Sequence, residues 1–175
     1  MKIEILTLFP EMFKPVTEES ILGRARENGI LDITLTDIRD YSRDKHKKAD
    51  DYPFGGGAGM IMLADPVFRA LNAVQAKGKR ILYMSPRGKI LDQEMVLELS
   101  KEEELVVLCG HYEGVDQRII DFWEMEEVSV GDYILTGGEL PAMILIDAVA
   151  RMIPEVLGSS SAHNEESIYS GLLES

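Results

Sequence analysis

Two short glycine-bearing stretches in the second half of the chain hold the residue types best suited to ligand chemistry. In the first, LVVLC runs into GHYEG, so that Gly110 and Gly114 bracket His111, Tyr112 and Glu113. In the second, YILT leads to Gly137 and Gly138, which open a helix whose first turn carries Glu139 and Pro141. Glycine lets a backbone approach a ligand closely, and a helix start presents N–H groups that lack internal partners. An apolar strand, a glycine cluster and then a helix is the order in which α/β proteins build ligand sites at strand ends. Either turn alone reads more readily as an ordinary strand-to-helix connection; the two together favour a site.

A third stretch, SRDKHKKADDYPFGGGAGMIML, has no helical or strand period before Met60 and reads as a long loop. Its glycines admit two readings that both stand: a plain connector, or a backbone shaped to approach phosphate. No Lys-Ser/Thr pair follows them, so a P-loop is a poor reading. The basic run from Arg43 to Lys48 is more often a solvated face than a phosphate track. Cys109, the single cysteine, lies in an apolar strand and reads as a core residue rather than a nucleophile. No His and Cys cluster has metal-site spacing.

The elements that must position these residues alternate. KIEILTLFP and LDITLTDIRDY read as strands, and between them EMFKPVTEESILGRARENGI reads as a helix that breaks near Pro15 and closes at Gly29. A helix with Asp65 as cap and Pro66 at its first position follows the loop. RILYMSPRGKILD is a strand ending at a turn on Ser85, Pro86 and Gly88, DQEMVLELSKE a helix capped by Asp92, and ELVVLC a buried strand. A short helix from Asp116 to about Phe122, an acidic link through Glu124, Glu126 and Glu127, and a long helix to about Ile153 complete the core. Strands alternating with helices predict an α/β fold, a mostly parallel sheet flanked by helices. The turns after Tyr83, Cys109 and Leu135 are expected to share one pocket at its carboxyl edge.

The 175 residues, 45% hydrophobic and 28% charged, suit one soluble globular core. With no membrane span or leader in the sequence, the expectation is a cytoplasmic protein without a membrane partner. The net charge of −13 argues against casual nucleic-acid binding, which needs a basic face.

Taken together, YMSPRGKILD, LCGHYEGVDQR and VGDYILTGGELPAMILIDAVARMIPEVLG resemble the bacterial tRNA (guanine-N1) methyltransferase family, as do LFPEMF, GRARENGIL and DDYPFGGGAGM. The resemblance runs in order over nearly the whole chain. It implies a SPOUT-class fold with a C-terminal trefoil knot, an exception to the rule against knots. It also implies a homodimer, S-adenosylmethionine as methyl donor, and methylation of N1 of the guanosine immediately 3′ of the tRNA anticodon, with no role for DNA.

For the donor the resemblance implies Tyr83, Met84, Ser85 and Pro86 in the first turn and Gly110, Tyr112, Glu113 and Gly114 in the second. In the third it implies Gly131, Tyr133, Leu135, Gly137, Gly138 and Pro141. The loop holding His46, Asp50, Asp51, Gly55, Gly56, Gly57, Gly59 and Met60 corresponds to the family's guanine-binding region. Arg151 matches the family's catalytic arginine. Glu166, in NEESI, stands where the family carries an aspartate base, which moves the carboxylate by one methylene. Magnesium is implied as a helper, with no site readable in the sequence. Residues 1–158 are expected to form the methyltransferase domain and 159–175 a mobile linker. The family continues into a small helical domain that carries much of the tRNA contact, so this chain is expected to bind donor and dimerise yet transfer little.

Three rival readings remain. One is a noncatalytic dimeric module for a nucleotide-like ligand. Another is an NAD-type oxidoreductase, disfavoured because no GxGxxG follows the first strand. The third is a SPOUT enzyme acting on the ribose 2′-OH, which the resemblance at Arg151, Glu166 and GGGAGM disfavours.

Overall fold

The computed structural model describes residues 1–52 and 59–157. KIEILT forms β1 (Lys2–Thr7), buried from Ile3 onward, as its continuous apolar character requires of a strand covered on both faces. The helix expected next is divided into a 3-10 turn (Pro10–Met12), α1 (Lys14–Thr17) and α2 (Ser20–Glu27), with Glu19 extended between the last two. Gly29, at φ +72°, closes α2, and Ile30 N–H reaches back to Ala25 O at 2.9 Å, the 6→1 bond of a Schellman motif. β2 (Asp32–Asp37) follows.

The long loop is less bare than its composition suggests, because β3 (Asp50–Asp51) and β4 (Ile61–Met62) pair antiparallel within it. α3 (Ala64–Ala73) is preceded by Leu63 in the cap position, and Asp65 and Pro66 lie inside its first turn. Asp65 is therefore not the cap that the sequence suggested; it places negative charge at the helix start instead.

β5 (Arg80–Ile90) does not end at Ser85. It makes an excursion: Met84 and Lys89 both register with Val128, and the residues between them bulge out of the ladder before the strand resumes. α4 (Gln93–Leu99) is capped by Asp92, whose carboxylate accepts from Met95 N–H at 2.8 Å. β6 (Glu104–Cys109) and α5 (Gln117–Phe122) come next, the latter capped by Asp116. β7 (Glu126–Ser129) contains two residues of the expected acidic link. The charge of Glu126 is tolerated because the Arg80 guanidinium grips it through two bonds, at 2.7 and 2.9 Å. The strand before the third turn is thus EEVS, and YILT is irregular. α6 (Glu139–Arg151) ends the described core.

All five long strands run parallel in the order β2-β1-β6-β5-β7. Side chains alternate between two apolar layers. Leu82, Met84, Leu105 and Val107 meet α4 and α6 on one face, while Ile81, Tyr83, Val106 and Leu108 meet α3 and α5 on the other. Gly88 marks the tightest point, where the returning limb of β5 crosses β7. A Cβ there would lie 2.3 Å from backbone atoms of both Glu127 and Val128.

Gly88→Ala should therefore cost roughly 1–3 kcal/mol through overpacking, read as a Tm loss of about 2–4 °C per kcal/mol in a chain of this size. An unchanged Tm would mean that the β7 backbone yields freely. A second expectation concerns Glu4, which is buried at 5% exposure and accepts a bond from Thr36 Oγ1 at 2.5 Å. Burial pushes its carboxyl pKa up, against the pull of Thr36 and the nearby Lys2 and Lys79. The folded state then holds this proton more tightly than the unfolded state, so the group's contribution to stability falls as pH rises through the carboxylate range. Glu4→Gln should raise Tm at neutral pH, with the gap closing as the buffer is taken toward pH 4; a gap that widens on acidification would refute this.

Candidate functional site

Neighbouring strands β6, β5 and β7 bring three loop regions to one edge of the sheet, and a cavity of about 450 Å³ lies between them. Its base is the end of the first half of β5, where Tyr83, Met84 and Ser85 are almost wholly buried. Tyr83 sets the height of the second turn. A Cβ on Gly110 would sit 2.8 Å from the Tyr83 ring, and Gly114, at φ +113°, has the Tyr83 hydroxyl 3.1 Å from its Cβ position. Both positions demand glycine, for space at the first and for conformation at the second. Burial pushes the Tyr83 phenol pKa up, opposed by a backbone bond from Val115. The phenol stays protonated and serves as a shaped wall.

The second and third turns are joined through their backbones. Gly138 N–H donates to Gly110 O at 2.7 Å, and His111 bridges to Gly137. A Cβ on Gly138 would meet Gly110 N at 2.6 Å. Between the glycines Tyr112 adopts φ +58°, a left-handed conformation costly for a side chain of this size and a frequent mark of functional segments.

Thirteen of the fourteen residues expected at the donor site line this one cavity: Tyr83, Met84, Ser85, Pro86, Gly110, Tyr112, Glu113, Gly114, Tyr133, Leu135, Gly137, Gly138 and Pro141. Gly131 does not line it. It lies beneath Tyr133, whose ring would be 2.3 Å from a Cβ at that position, and its carbonyl accepts from Ser129 Oγ at 2.9 Å. Sequence reading missed Arg87, His111, Val128, Ser129, Val130, Ile134 and Thr136, which also border the cavity. His111 had a visible signal, since it stands between two glycines; the β7 residues had none, because their strand was read as a link.

The expected guanine loop meets the same turn. Glu113 N–H donates to Met60 O at 2.9 Å and Met62 N–H to Gly114 O at 3.0 Å, so the end of the loop is stitched onto residues 113–114. Gly59, at φ +104°, lies over the Glu113 side chain, with its Cβ position 2.7 Å from Cγ. Asp50 and Asp51 pair with this end through β3 and β4, and Lys48, 3.0 Å from Asp51, holds that carboxyl pKa below its usual range. His46 is exposed, and its N–H is held by Asp44. Gly55, Gly56 and Gly57 lie outside the described residues, as does Glu166.

Arg151 is half-buried in the last turn of α6. The cavity touches the other end of that helix, about 18 Å away at 1.5 Å per residue. Within one chain Arg151 is therefore not brought to the donor-side cavity. Among the described residues no group of three or more His, Cys, Asp or Glu side chains could hold a metal ion, and no step is assigned to magnesium. Cys109 is fully buried; burial and the charge of Glu139 push its thiol pKa up, which removes it as a nucleophile. No helix among the described residues is long and apolar enough to cross a membrane.

A protein of Ruminiclostridium cellulolyticum named tRNA (guanine-N(1)-)-methyltransferase is 56% identical to this chain over 177 residues, which cover 99% of this chain and 76% of that protein. Proteins of the same name are 55% identical over 175 residues in Clostridium perfringens and 53% identical over 182 residues in Alkaliphilus oremlandii, in each case across 99% of this chain and 73% of the relative. The family model described as tRNA (Guanine-1)-methyltransferase TrmD matches residues 1–175. With every element and turn described above inside that match, the chain belongs to the tRNA (guanine-N1) methyltransferase family.

Proposed function

We propose that this chain transfers a methyl group from S-adenosylmethionine to N1 of the guanosine immediately 3′ of the anticodon in tRNA, in the cytoplasm. The observation that carries the reading is the glycine-lined cavity itself. At about 450 Å³ it has the size of a small-molecule site. Glycine backbone forms part of its wall, and Cβ atoms on Gly110, Gly137 and Gly138 would press into the turns that enclose it. Such a cradle fits an adenosine-like ligand: peptide N–H and C=O groups of the second and third turns for the polar edge, Leu135 and Pro141 for the apolar face, and the Glu113 carboxylate toward a cationic sulfonium.

When bound, the donor supplies an electrophilic methyl carbon; the C–S bond breaks as the C–N1 bond forms. The chain must then accept the N1 proton and stabilise the charge that moves onto O6. We assign O6 to the Arg151 guanidinium and the proton to the Glu166 carboxylate. Gly59 and Met60, docked on the Glu113 turn, lead the guanine-binding loop to the donor, so the target base is splayed out next to the methyl group.

The remote position of Arg151 supports a homodimer. Leu140, Ile144, Asp147 and Arg151 share one face of α6, and Leu140 and Ile144 are each 48% exposed; Tyr133 and Ile134 of the third turn are exposed as well. An antiparallel, twofold pairing of this face sets the Arg151 end of one helix beside the cavity end of the other. The knot finds support in the same region. β7 lies outside β5, yet the chain after it returns to bond Gly110 at the end of β6, and this requires a crossing over the end of β5.

Calorimetric titration should show S-adenosylmethionine bound at one site per protomer, with adenosine weaker and NAD silent; equal binding of NAD would refute the donor assignment. Label from the methyl-tritiated donor is expected, at a low rate, in a tRNA transcript with guanosine 3′ of the anticodon and absent when adenosine replaces it. Arg151→Ala should lower transfer roughly 100-fold or more with donor affinity unchanged. Mixing it with a Gly110→Leu variant, under conditions where subunits exchange, should restore part of the activity. Exchange without restoration would place Arg151 and the donor in the same chain.

A further inference from the structure

Behind the third turn sits a carboxylate to which nothing above gives a task. Glu139, the first residue of α6, is only 2% exposed. Its Oε1 accepts from Thr7 Oγ1 at 2.8 Å, and that same hydroxyl accepts from Phe9 N–H at 2.9 Å. Its Oε2 faces His111 Nδ1 across 3.7 Å. That nitrogen is buried and has no hydrogen-bond partner. The imidazole is held against Phe9, ring centres 4.9 Å apart, and edge-on to Tyr112 at 4.7 Å. The rest of its side chain keeps 22% of its surface exposed and borders the cavity.

A buried carboxylate is costly unless it is paired and hydrogen-bonded. The start of α6 and the Thr7 hydroxyl meet part of that need. Towards His111, two acceptors pointing at each other would repel, whereas an Nδ1–H pointing at Oε2 is attractive even across 3.7 Å, a separation longer than a hydrogen bond. The carboxylate therefore selects the ring tautomer, as a carboxylate does behind a histidine in many sites. The geometric stake is larger than one bond. His111 belongs to the second turn and Glu139 to the third, and a Cβ at Gly137 would lie 2.5 Å from Glu139 Oε2 and 2.6 Å from His111 Nδ1, so the pair fills the seam between the turns.

We propose that Glu139 is a positioning residue. It holds His111 in the Nδ1–H form, ties the second turn to the third and to the end of β1, and so sets the width of the cavity and leaves Nε2 as an acceptor on its ligand side. The inference rests on the reading of this cavity as the methyl-donor site.

Long-range ¹H–¹⁵N NMR of the histidine rings, with His111→Asn to assign the signal, reads the tautomer in the unliganded wild type. A proton on Nδ1 with Nε2 bare is expected, and a ring protonated on Nε2, alone or together with Nδ1, overturns the proposal. Calorimetry with S-adenosylmethionine on the wild type, Glu139→Gln, His111→Asn and the double variant reads the coupling. Glu139→Gln should weaken binding roughly tenfold, the scale of one charge-assisted hydrogen bond, and the double variant should bind no more weakly than the weaker single one. Wild-type affinity in Glu139→Gln, or losses that simply multiply in the double variant, overturns it. A wild type that binds no donor sinks the functional reading instead, and the tautomer then decides the Glu139 assignment by itself.

Discussion

The contact between Gly138 N–H and Gly110 O, with the Tyr83 ring packed beneath Gly110, is the constraint on which the carboxyl edge depends. A backbone-to-backbone approach of this kind has no slack. No side chain can be inserted without separating the strands, and no side chain can be removed to relieve it. Because Gly110 ends β6, Tyr83 lies on β5 and Gly138 starts α6, three elements distant in sequence are held at fixed heights by one point. The cavity is the space left over by that arrangement, so the glycine peptides in its wall take positions that follow from the sheet rather than from rotamers.

The sheet supports this edge by putting its charge at the other one. Lys2, Arg80, Glu104 and Glu126 are the first residues of β1, β5, β6 and β7, and with Lys79, Glu98 and Glu102 they form ion pairs across the amino ends of the strands. Exposed pairs are worth little singly, but the two-pronged hold of Arg80 on Glu126 joins β5 to β7 where β7 has only four residues to hold itself. A short, acidic edge strand would be a poor anchor for the third turn without it. The ion pairs thus fix the register that the glycines at the opposite end require.

Most of this was legible from residue types. Strands with continuous apolar runs, Leu105 to Cys109 above all, could be nothing but central, and glycines after them pointed to the turns. The pocket residues were found through the resemblance, whose motifs coincide with those turns. What was hidden depended on partners far away in sequence. Glu126 reads as part of a link because nothing local says that Arg80 will offset its charge. Ser85 to Gly88 read as the end of a strand because proline and glycine usually are, while the resumed pairing of Lys89 and Ile90 is decided by β7. His111 and Glu139 drew no attention as a pair, since 28 positions separate them and it is the backbone bonding of the two turns that brings them together.

That bond also connects the two halves of the site. Residues 113–114 carry Glu113, which borders the donor cavity, and through Met60 and Met62 they anchor the end of the glycine loop. A peptide shared in this way cannot respond to one ligand without moving the attachment of the other. The second turn is pinned between Tyr83 and Gly138, and the loop's point of attachment is pinned with it. Tyr112, held at a positive φ in the middle of this turn, keeps it in the conformation that both attachments need.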